Sequence, residues 1–588
     1  MRSMLLVLLV PVLALAVSNM PTVDVVAPEG PVRPGEPVVT QETRIEPGEP
    51  AVLVGTVDTV GGTTYDWCGN GPIYRFIVNS PEYGVHVAWM YSAHTANTEF
   101  PDRNMRYNFY DYSAGWNWID PDYMQSGVTI FTGRVGYGNL DADPSSGVAV
   151  VPCHIPAPVT HRIDVARDMG PGTGIFEYCE GSPTLEGYLW PPVAVDANGK
   201  FHIHCVEDVG DRDNIYYSGG ATWCNWTSPI RTAPPQPDPL FPTQNVAASK
   251  VSDNVCLTWT YSPTGYSQKP GFYRISTDGG TSWGDPTQLM WPQAYQGDTL
   301  TSFHLSSLFP FYDSDDQLHI VAGVTPFVRD TNWILPAEIW HWDQSTDAWS
   351  RVHRADPESL LANVGYNASI AGRPSIGEDN RGNLYVAWEE FDGVNYESLP
   401  VGRLRGDIWG AGSDDDGATW YTAVRLTGPG ESCSNRFPSV IDMAVEGAYS
   451  NDTVMILYEK DLHAGFFVQN EGPATNNPIV VHKVRGGDFG VGVKERGKAV
   501  LPDRLEIEAK PNPFGRSTVI SYALPMTTEV TLAIYDEAGR PVQTLHKGLT
   551  QAGRHTATWN ASEMPAGVYF YKLHAGDQTL SEKLVVSR

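Results

Sequence analysis

Positive charge is scarce in this sequence of 588 residues. Lysine and arginine number 39 against 68 aspartate and glutamate residues, so the formal net charge is -29. A protein that binds nucleic acid or an anionic membrane surface needs a positive field to attract phosphate groups. We therefore expect no nucleic-acid partner.

Long apolar runs are confined to the N-terminus. Residues 4–17 are apolar, follow Arg2, and end in the small residues Ala14, Ala16 and Ser18. This layout is typical of a secretory signal peptide, and no later segment is long enough to span a bilayer. We predict a signal peptide over 1–18, cleaved after Ala16 or Ser18. The protein is then extracellular or on the outer cell surface.

Cysteine is sparse, with seven widely spaced residues and no Cys-x-x-Cys pair, which argues against a zinc site. Export allows disulfides, but an odd count leaves at least one thiol unpaired, and the spacing leaves the pairing open.

Helical periodicity is also missing, since few windows carry a 3.6-residue apolar stripe longer than two turns. The chain instead has 57 glycines, 46 prolines, 28 tyrosines and 18 tryptophans. This composition is typical of short aromatic-rich strands joined by tight turns. Because 588 residues exceed one compact core, we predict an all-β protein of two or more domains.

A short apolar strand recurs through the middle of the chain, usually after an Asp, Asn or Gly turn. The copies lie at 84–89, 147–151, 200–205, 254–259, 317–322, 383–388 and 453–458. Their centres are 54 to 70 residues apart, a period that predicts one four-stranded β-propeller blade per copy. We expect a propeller over 51–486 with seven blades, or six if the copy at 147–151 belongs to a neighbour. A Pro-rich linker over 19–50 precedes it.

Two octapeptides share the pattern Ser-x-Asp-x-Gly-x-Ser/Thr-Trp, with weaker versions at 111–118 and 216–223. The motif residues are Ser276, Asp278, Gly280, Trp283, Ser413, Asp415, Gly417 and Trp420. The pattern resembles the Asp-box, or BNR repeat, of sialidases and other secreted propellers. In those proteins the box lies away from the active site, so the resemblance implies a fold rather than a chemistry.

The sequence changes character at about residue 505. Alternating apolar residues predict an immunoglobulin-like sandwich over 505–588, after a linker over 487–504. The segments Lys-Pro-Asn-Pro-Phe (510–514), Tyr-Asp-x-x-Gly-Arg (535–540), Gly-Val-Tyr-Phe (567–570) and Lys-Leu-Val-Val (583–586) occur in order. Together they resemble the C-terminal sorting domain of the type IX (Por) secretion system and the related Ig-like domain of FlgD. The resemblance implies the secretion machinery as a partner; an adhesion or spacer module is the alternative.

The Asp-box resemblance raises a sialidase-type hydrolase as a candidate. That family holds a carboxylate with three arginines and uses a Tyr/Glu pair and an Asp for catalysis. Arg75 lies in a Tyr-Arg-Phe-Ile phrase similar to the family's first arginine but lacking its proline, and Arg373 and Arg436 precede strands. No spacing identifies a nucleophile or an acid, and an arginine before a strand is usually an inter-blade contact.

The acidic runs of the sequence fit hairpin turns better than metal-binding sites. The acidic runs 141–143, 313–316 and 414–416 could bind calcium, but each lies where a hairpin turn favours Asp. His202 and His204 share one strand face without a third ligand nearby. We expect no cofactor, with structural calcium left open.

The leading hypothesis is therefore an exported, non-catalytic propeller that binds an extracellular glycan or protein. The alternative is a secreted glycoside hydrolase of the sialidase type.

Overall fold

A computed structural model describes residues 53–587 apart from short gaps. The gaps are 70–73, 158–159, 182, 209–213, 234–242, 261–270, 290–302, 329–330, 333, 446–451, 492–504, 511, 516, 525–527, 551–552, 562–563 and 577. The predicted signal peptide, the linker over 19–50 and most of the linker over 487–504 lie outside the described residues. The chain divides into two compact units, Met1–Val491 and Gly492–Arg588.

The described part of the first unit is built from antiparallel sheets that follow one another along the chain. Its first strand is β1 (Thr56–Thr63). Sheet 1 contains β2 (Ile77–Ser80), β3 (Gly84–Tyr91), β4 (Asn104–Asp111), β5 (Gly115–Trp116) and β6 (Val128–Thr129). Sheet 2 contains β7 (Asp141–Ala142), β8 (Ala149–Pro156), β9 (His161–Asp168) and β10 (Phe176–Cys179). Sheet 3 contains β11 (Tyr188–Leu189), β12 (Val193–Val195), β13 (Phe201–Glu207), β14 (Ile215–Thr222), β15 (Asn225–Trp226) and β16 (Ile230–Arg231).

The pattern continues to the end of the unit. Sheet 4 contains β17 (Thr243–Ala248), β18 (Val255–Thr260), β19 (Gly271–Ser276) and β20 (Thr287–Leu289). Sheet 5 contains β21 (Phe303–Tyr312), β22 (Leu318–Val328), β23 (Thr331–Asn332), β24 (Ala337–Asp343) and β25 (Ala348–Ala355). Sheet 6 contains β26 (Ala371–Glu378), β27 (Leu384–Glu390), β30 (Asp407–Ser413) and β31 (Val424–Arg425), with a separate hairpin of β28 (Tyr396–Glu397) and β29 (Arg403–Leu404). Sheet 7 contains β32 (Ser434–Val440), β33 (Thr453–Asp461) and β34 (Asn477–Arg485), and β1 pairs with β34 as its fourth strand.

The strands are apolar on both faces because neighbouring sheets cover each other. All seven residues of β27 are buried, for example, including Trp388. Each sheet has one inner strand (β2, β7, β12, β17, β21, β26 and β32), and each inner strand contacts the next along the chain. The last returns to the first: the amide of Phe76 donates to Ser439 Oγ (2.9 Å) and that of Asn79 to Asp442 Oδ1 (2.7 Å). The described residues therefore form an all-β, propeller-like unit.

Buried histidines tie the hairpin turns to the strands by a repeated relay. A turn residue six positions earlier hydrogen-bonds each histidine, which in turn bonds the third strand of its sheet. The relays are Ser80–His86–Tyr107, Asp196–His202–Tyr217 and Asp313–His319–His341, with contacts of 2.7 to 3.2 Å. Burial lowers the pKa of His86 and of His341 to about 3, so both are neutral at physiological pH.

The two octapeptides form matching turns between the third and fourth strands of sheets 4 and 6. Asp278 accepts from the amide and the hydroxyl of Ser282 (2.8 and 2.6 Å), and Asp415 accepts likewise from Thr419 (2.9 and 2.6 Å). The amide of Gly280 donates to Ser276 Oγ (2.8 Å). In the second turn the amide of Gly417 likewise donates to Ser413 Oγ. The Trp283 ring packs on Tyr217, and the indole of Trp420 donates to Ser350 Oγ.

The weaker version of the motif at 216–223 does not form the same turn. Residues Ile215–Thr222 form β14, so this segment is a strand.

The second unit contains two antiparallel sheets. One orders β35 (Glu506–Lys510), β36 (Ser517–Leu524) and β39 (Gly553–Asn560); the other orders β38 (Pro541–Thr550), β37 (Thr528–Asp536), β40 (Gly567–Ala575) and β41 (Gln578–Val586). One buried cluster serves both, with Trp559 packed on Phe514 and Tyr569.

Three short 3₁₀ helices occur in the described residues, at Tyr123–Gln125, Phe467–Gln469 and Gly486–Phe489. The last packs Phe489 on Tyr385 (5.2 Å between ring centroids), so the first unit extends past the expected boundary at 486. None of the helices in the described ranges has the length and apolarity that crossing a membrane requires.

Cys179 at the end of β10 forms a disulfide with Cys224, which joins sheets 2 and 3. The other five cysteines are free and buried. The seven cysteines thus supply one bridge within the described residues, in keeping with an oxidising compartment.

We predict that changing both Cys179 and Cys224 to Ser lowers the free energy of unfolding by up to about 4 kcal/mol, because the bridge closes a 45-residue separation in the unfolded chain. Urea unfolding with and without reductant measures this. Reductant should shift the midpoint of the wild type and leave the double variant unchanged; a wild-type midpoint that ignores reductant would contradict the prediction.

Candidate functional site

The inner strands all begin at one end of the first unit, together with the loops that lead into them. We call this end the strand-start face. The two Ser-x-Asp-x-Gly turns lie at the other end, because they follow the third strands of sheets 4 and 6.

Arg75 lies among the inner strands and donates hydrogen bonds to the backbone of two of them. Its guanidinium donates to the carbonyls of Val440 (3.1 Å) and Ile376 (3.3 Å) and lies 5.2 and 5.6 Å from the ring centroids of Phe309 and Phe311. Since Arg75 itself precedes β2, this one side chain joins sheets 1, 5, 6 and 7.

Lys250 joins the remaining three sheets in the same way. Its ammonium group follows β17 and donates to both carboxylate oxygens of Asp141 (2.9 and 2.8 Å) and to the carbonyls of Ala142 (3.1 Å) and Val195 (2.8 Å). It thus links sheets 2, 3 and 4. The cavity that remains beside Arg75 and Lys250 is about 50 Å³, room for a few waters, whereas a sugar-sized ligand needs a pocket of several hundred Å³.

We predict that Lys250→Met destabilises the first unit by about 3 kcal/mol, because it leaves the buried carboxylate of Asp141 without its cation. The control is Lys460→Met, which removes a lysine bound only to the part-exposed Glu431 and should cost at most about 1 kcal/mol. Urea unfolding measures both. Equal losses for the two variants would argue against a central role for Lys250.

Arg373 and Arg436 do come together, on a carboxylate. Both bind Glu389, Arg436 through Nε at 3.0 Å, and all three side chains are at most 4% exposed. Burial opposes ionisation of Glu389, but the two arginines outweigh it and lower its pKa to about 2. Both arginines are therefore already engaged by a carboxylate of the protein itself.

The three sequence-predicted arginines do not converge on one position. Arg75 contacts β26 and β32 three and four residues beyond Arg373 and Arg436, roughly 10 Å further along the strands. Its bonds are to backbone carbonyls, and theirs are to Glu389. These contacts join neighbouring sheets, with Arg75 just before β2 but Arg373 and Arg436 inside β26 and β32 rather than before a strand.

A different group of side chains meets on the strand-start face, which we call the Tyr–Arg–His cluster: Tyr65, Arg103, Tyr137 and His154. The hydroxyl of Tyr65 donates to that of Tyr137 (2.8 Å), and Arg103 donates to the Tyr65 hydroxyl (3.0 Å). The guanidinium carbon of Arg103 lies 5.2 Å from the Tyr65 ring and 5.5 Å from the Tyr137 ring. The arginine is thus held over both tyrosines.

His154 completes the cluster beside Gly136. A Cβ on Gly136 would stand 2.3 Å from a terminal nitrogen of Arg103 and 2.6 Å from His154 Nε2, so those two nitrogens lie close together and only glycine fits there. The amide of Trp190 donates to His154 Nδ1 (3.4 Å).

The backbone around the cluster is strained. Tyr137 and Trp190 have φ values of 41° and 53°, a region that costs most non-glycine residues energy and is enriched at functional sites. Tyr137 and Trp190 are also partly exposed, as is His161, whose Nδ1 lies 2.6 Å from Asp208. Tyr65, Arg103 and His154 are buried behind them.

The cluster offers hydrogen-bond donors, one guanidinium and aromatic surfaces. Burial raises the pKa of Tyr137, so its hydroxyl stays protonated. Arg134 adds further positive charge near Arg103. Such a set can hold a carboxylate or the hydroxyls of a sugar.

Sequence reasoning missed this cluster. Its members come from four separate loops and strand ends and carry no shared spacing. The one local signal was Gly136-Tyr137-Gly138, where glycines on both sides give a large residue room to turn.

Metal ligation finds no support in the part of the chain that the structure describes, where no three His, Cys, Asp or Glu residues are placed to hold an ion. His202 bonds Tyr217 and Asp196, and His204 bonds the Asn245 carbonyl and Thr232.

Comparison with known families identifies the second unit. Residues 510–587 match the family model described as "Secretion system C-terminal sorting domain". The C-terminal unit is a secretion sorting domain. It indicates export of the protein, to the extracellular space or the cell surface, and contact with secretion machinery. No curated protein matches the sequence.

Several solved structures are similar to the chain at low identity. They include a PL25 ulvan lyase (11% identical, 73% of this chain and 96% of that chain, TM-score 0.43). An α-L-arabinanase of Penicillium chrysogenum complexed with arabinobiose is 12% identical over 60% and 94% of the two chains, with a TM-score of 0.35. A GH93 α-L-arabinofuranosidase of Fusarium graminearum is 11% identical over 64% and 94%, with a TM-score of 0.32. TM-scores below 0.5 are too low to transfer a site or an activity.

Proposed function

We propose that this protein is a secreted or surface-attached seven-bladed β-propeller that binds a carboxylate-bearing glycan on its strand-start face. In this proposal the ligand contacts the Tyr–Arg–His cluster. The C-terminal domain, an Ig-like sandwich, sends the propeller out through a type IX system.

The blade count rests on the sheets of the first unit. Each of the seven sheets corresponds to one of the seven sequence copies, and β1 adds the fourth strand to sheet 7. Pairing of the first strand with the last sheet closes a ring without leaving long free edges. The matching turns at Asp278 and Asp415 support their assignment as Asp-boxes.

The observation that carries the binding proposal is Arg103 held over Tyr65 and Tyr137 next to His154. The chain as a whole is strongly acidic and repels anions, so a carboxylated ligand needs a local group of donors and cations. The cluster supplies them at the partly exposed edge formed by Tyr137. Stacking of tyrosine on the apolar face of a sugar adds contact area.

The sialidase-type alternative draws less support from the geometry. Three arginines would have to share one substrate carboxylate, but Arg373 and Arg436 share Glu389 and Arg75 binds backbone carbonyls. Arg75→Ala would remove a contact that joins several sheets, so a loss of activity in this variant would not show a catalytic role for Arg75.

A second candidate is an enzyme that uses the same cluster for proton transfer. The observation that favours it is the 2.8 Å contact between the two tyrosine hydroxyls, one of which also accepts from Arg103. Tyrosine can act as a general acid or base when it is positioned in this way.

We predict that the full-length protein binds an oligosaccharide of galacturonic acid more tightly than a neutral galactose oligosaccharide, and that Tyr137→Phe weakens binding about tenfold. The variant removes one hydroxyl that donates to the ligand and leaves the ring in place. Titration calorimetry at about pH 7 measures the affinities. The matched control is Tyr83→Phe, a tyrosine 41% exposed in the turn between β2 and β3, at the opposite end.

Three outcomes separate the proposals. Equal affinity for the charged and neutral oligosaccharides, or equal effects of the two Phe variants, would overturn the assigned site. Release of new reducing ends from the oligogalacturonate, lost in Tyr137→Phe, would favour the enzyme. Turnover of fluorogenic sialosides would revive the sialidase alternative.

A further inference from the structure

The loop between β33 and β34 crosses the strand-start face and is fastened by carboxylates. We call residues 462–472 the clasp loop. The amides of Phe467 and Val468 donate to the carboxylate of Asp66, the second at 3.1 Å. Asp66 lies in the connection between β1 and β2, so this contact joins the two ends of the first unit's chain.

Two further carboxylates hold the loop to the hairpin of β28 and β29 and to the connection that leads into β26 of sheet 6. Glu397 accepts from the amide of Ala464 (2.8 Å) and lies 2.5 Å from His463 Nδ1. Glu471, within the loop, accepts from the amide of Tyr366 (3.1 Å) and from Arg403 Nε (3.1 Å). The clasp loop thus bridges sheets 1, 6 and 7.

Phe466 anchors the clasp loop among buried aromatic and arginine side chains. Phe466 is fully buried and packs edge-on against Trp67 (4.7 Å between centroids). The guanidinium carbon of Arg436 lies 4.4 Å from the Phe466 ring. Opening the loop would expose both partners.

Three carboxyl groups are buried near Phe466. They belong to Asp66, Glu459 and Asp461, and each is at most 3% exposed. Glu459 accepts from Asn477 Nδ2 (2.9 Å), and its other oxygen lies 3.7 Å from Cys68 Sγ. The amide of His463 donates to Asp461 (3.1 Å).

The charges around this group do not balance when every carboxyl is ionised. The cations next to this group are Arg373 and Arg436, and both are bound by Glu389, whereas Arg403 and Arg405 are paired with Glu471 and Glu397. Four carboxylates would then face two guanidinium groups in a buried space, which strongly disfavours full ionisation. The titratable and charged groups that face the site are Asp66, Cys68, Arg373, Glu389, Glu397, Arg403, Arg405, Arg436, Glu459, Asp461, His463 and Glu471.

We propose that Asp66, Glu459 and Asp461 form a proton-dependent latch that holds the clasp loop closed in neutral and mildly acidic solution and releases it in alkaline solution. Loss of protons from this group places adjacent negative charges beneath Phe466. Their repulsion is relieved when the loop lifts and admits water.

The direction of the pH effect follows from the burial of these groups. Burial raises the pKa of Asp66 to about 7 and that of Glu459 to about 8, and raises that of Asp461 well above its usual range. Between about pH 4 and these values the closed state binds more protons than the open state. Its stability therefore falls as the pH rises through that window.

Hydrogen exchange of the full-length protein tests the latch. After correction for the intrinsic pH dependence of exchange, protection of residues 462–472 should fall at least about tenfold between about pH 6 and about pH 9, the factor expected when a carboxyl group with a pKa of about 7 loses its proton over that range. Glu459→Gln, which cannot ionise, should keep the loop protected at the higher pH.

The control is Glu378→Gln, which changes another buried carboxyl group whose pKa burial raises to about 8, at the opposite end of β26. This variant should lose protection of 462–472 as the wild type does. Should Glu459→Gln fail to fold, Asp461→Asn gives the same test. Unchanged protection of the wild-type loop at both pH values would overturn the proposal. So would equal loss in the wild type and in the folded Gln or Asn variant.

Discussion

Two cations at the centre of the inner strands hold the first unit together. Arg75 and Lys250 between them reach all seven sheets, largely through backbone carbonyls that face the narrow centre. Buried carbonyls need donors, and a central space of this size admits few waters. Arg75 and Lys250 meet that need from two positions among the inner strands. The remaining packing of the sheets is built around this centre.

The small space between the inner strands limits where a ligand could bind. Within the described residues the space between the inner strands is too small for a sugar-sized ligand, so the proposed binding uses a face of the unit. The end that carries the hairpin turns is occupied by short local bonds, such as those of Asp278 and Asp415, which satisfy their own backbone. The strand-start face instead presents long loops and strained residues such as Tyr137, and loops on a rigid scaffold are where binding groups usually lie.

The periodic features of the fold could be predicted from sequence, whereas the site could not. Strand repeats and octapeptide turns are local patterns, and the sorting domain carries ordered motifs. The Ser/Asp-to-His spacing of six residues was also available, and it would have tied the hairpins to their sheets. By contrast, Tyr65 and Tyr137 are 72 residues apart, before and after the strands of sheet 1, and meet only in the folded unit. Arg373 and Arg436 bind Glu389, which follows the strand repeat at 383–388 and carries no sequence signal of its own.

The return of the chain to its start also explains why charge accumulates at one place. Sheet 7 is built from both ends of the unit, so its closure is not enforced by a short hairpin as in the other sheets. The clasp loop supplies that closure through Asp66, the residue next to Tyr65. Phe467 of the loop packs on Phe100, which packs on Tyr65. In the proposed latch, a change in the protonation of Asp66, Glu459 and Asp461 therefore acts on the clasp loop where it meets the β1–β2 connection. Through the contacts of Phe467 with Phe100 and of Phe100 with Tyr65, it also acts on the Tyr–Arg–His cluster.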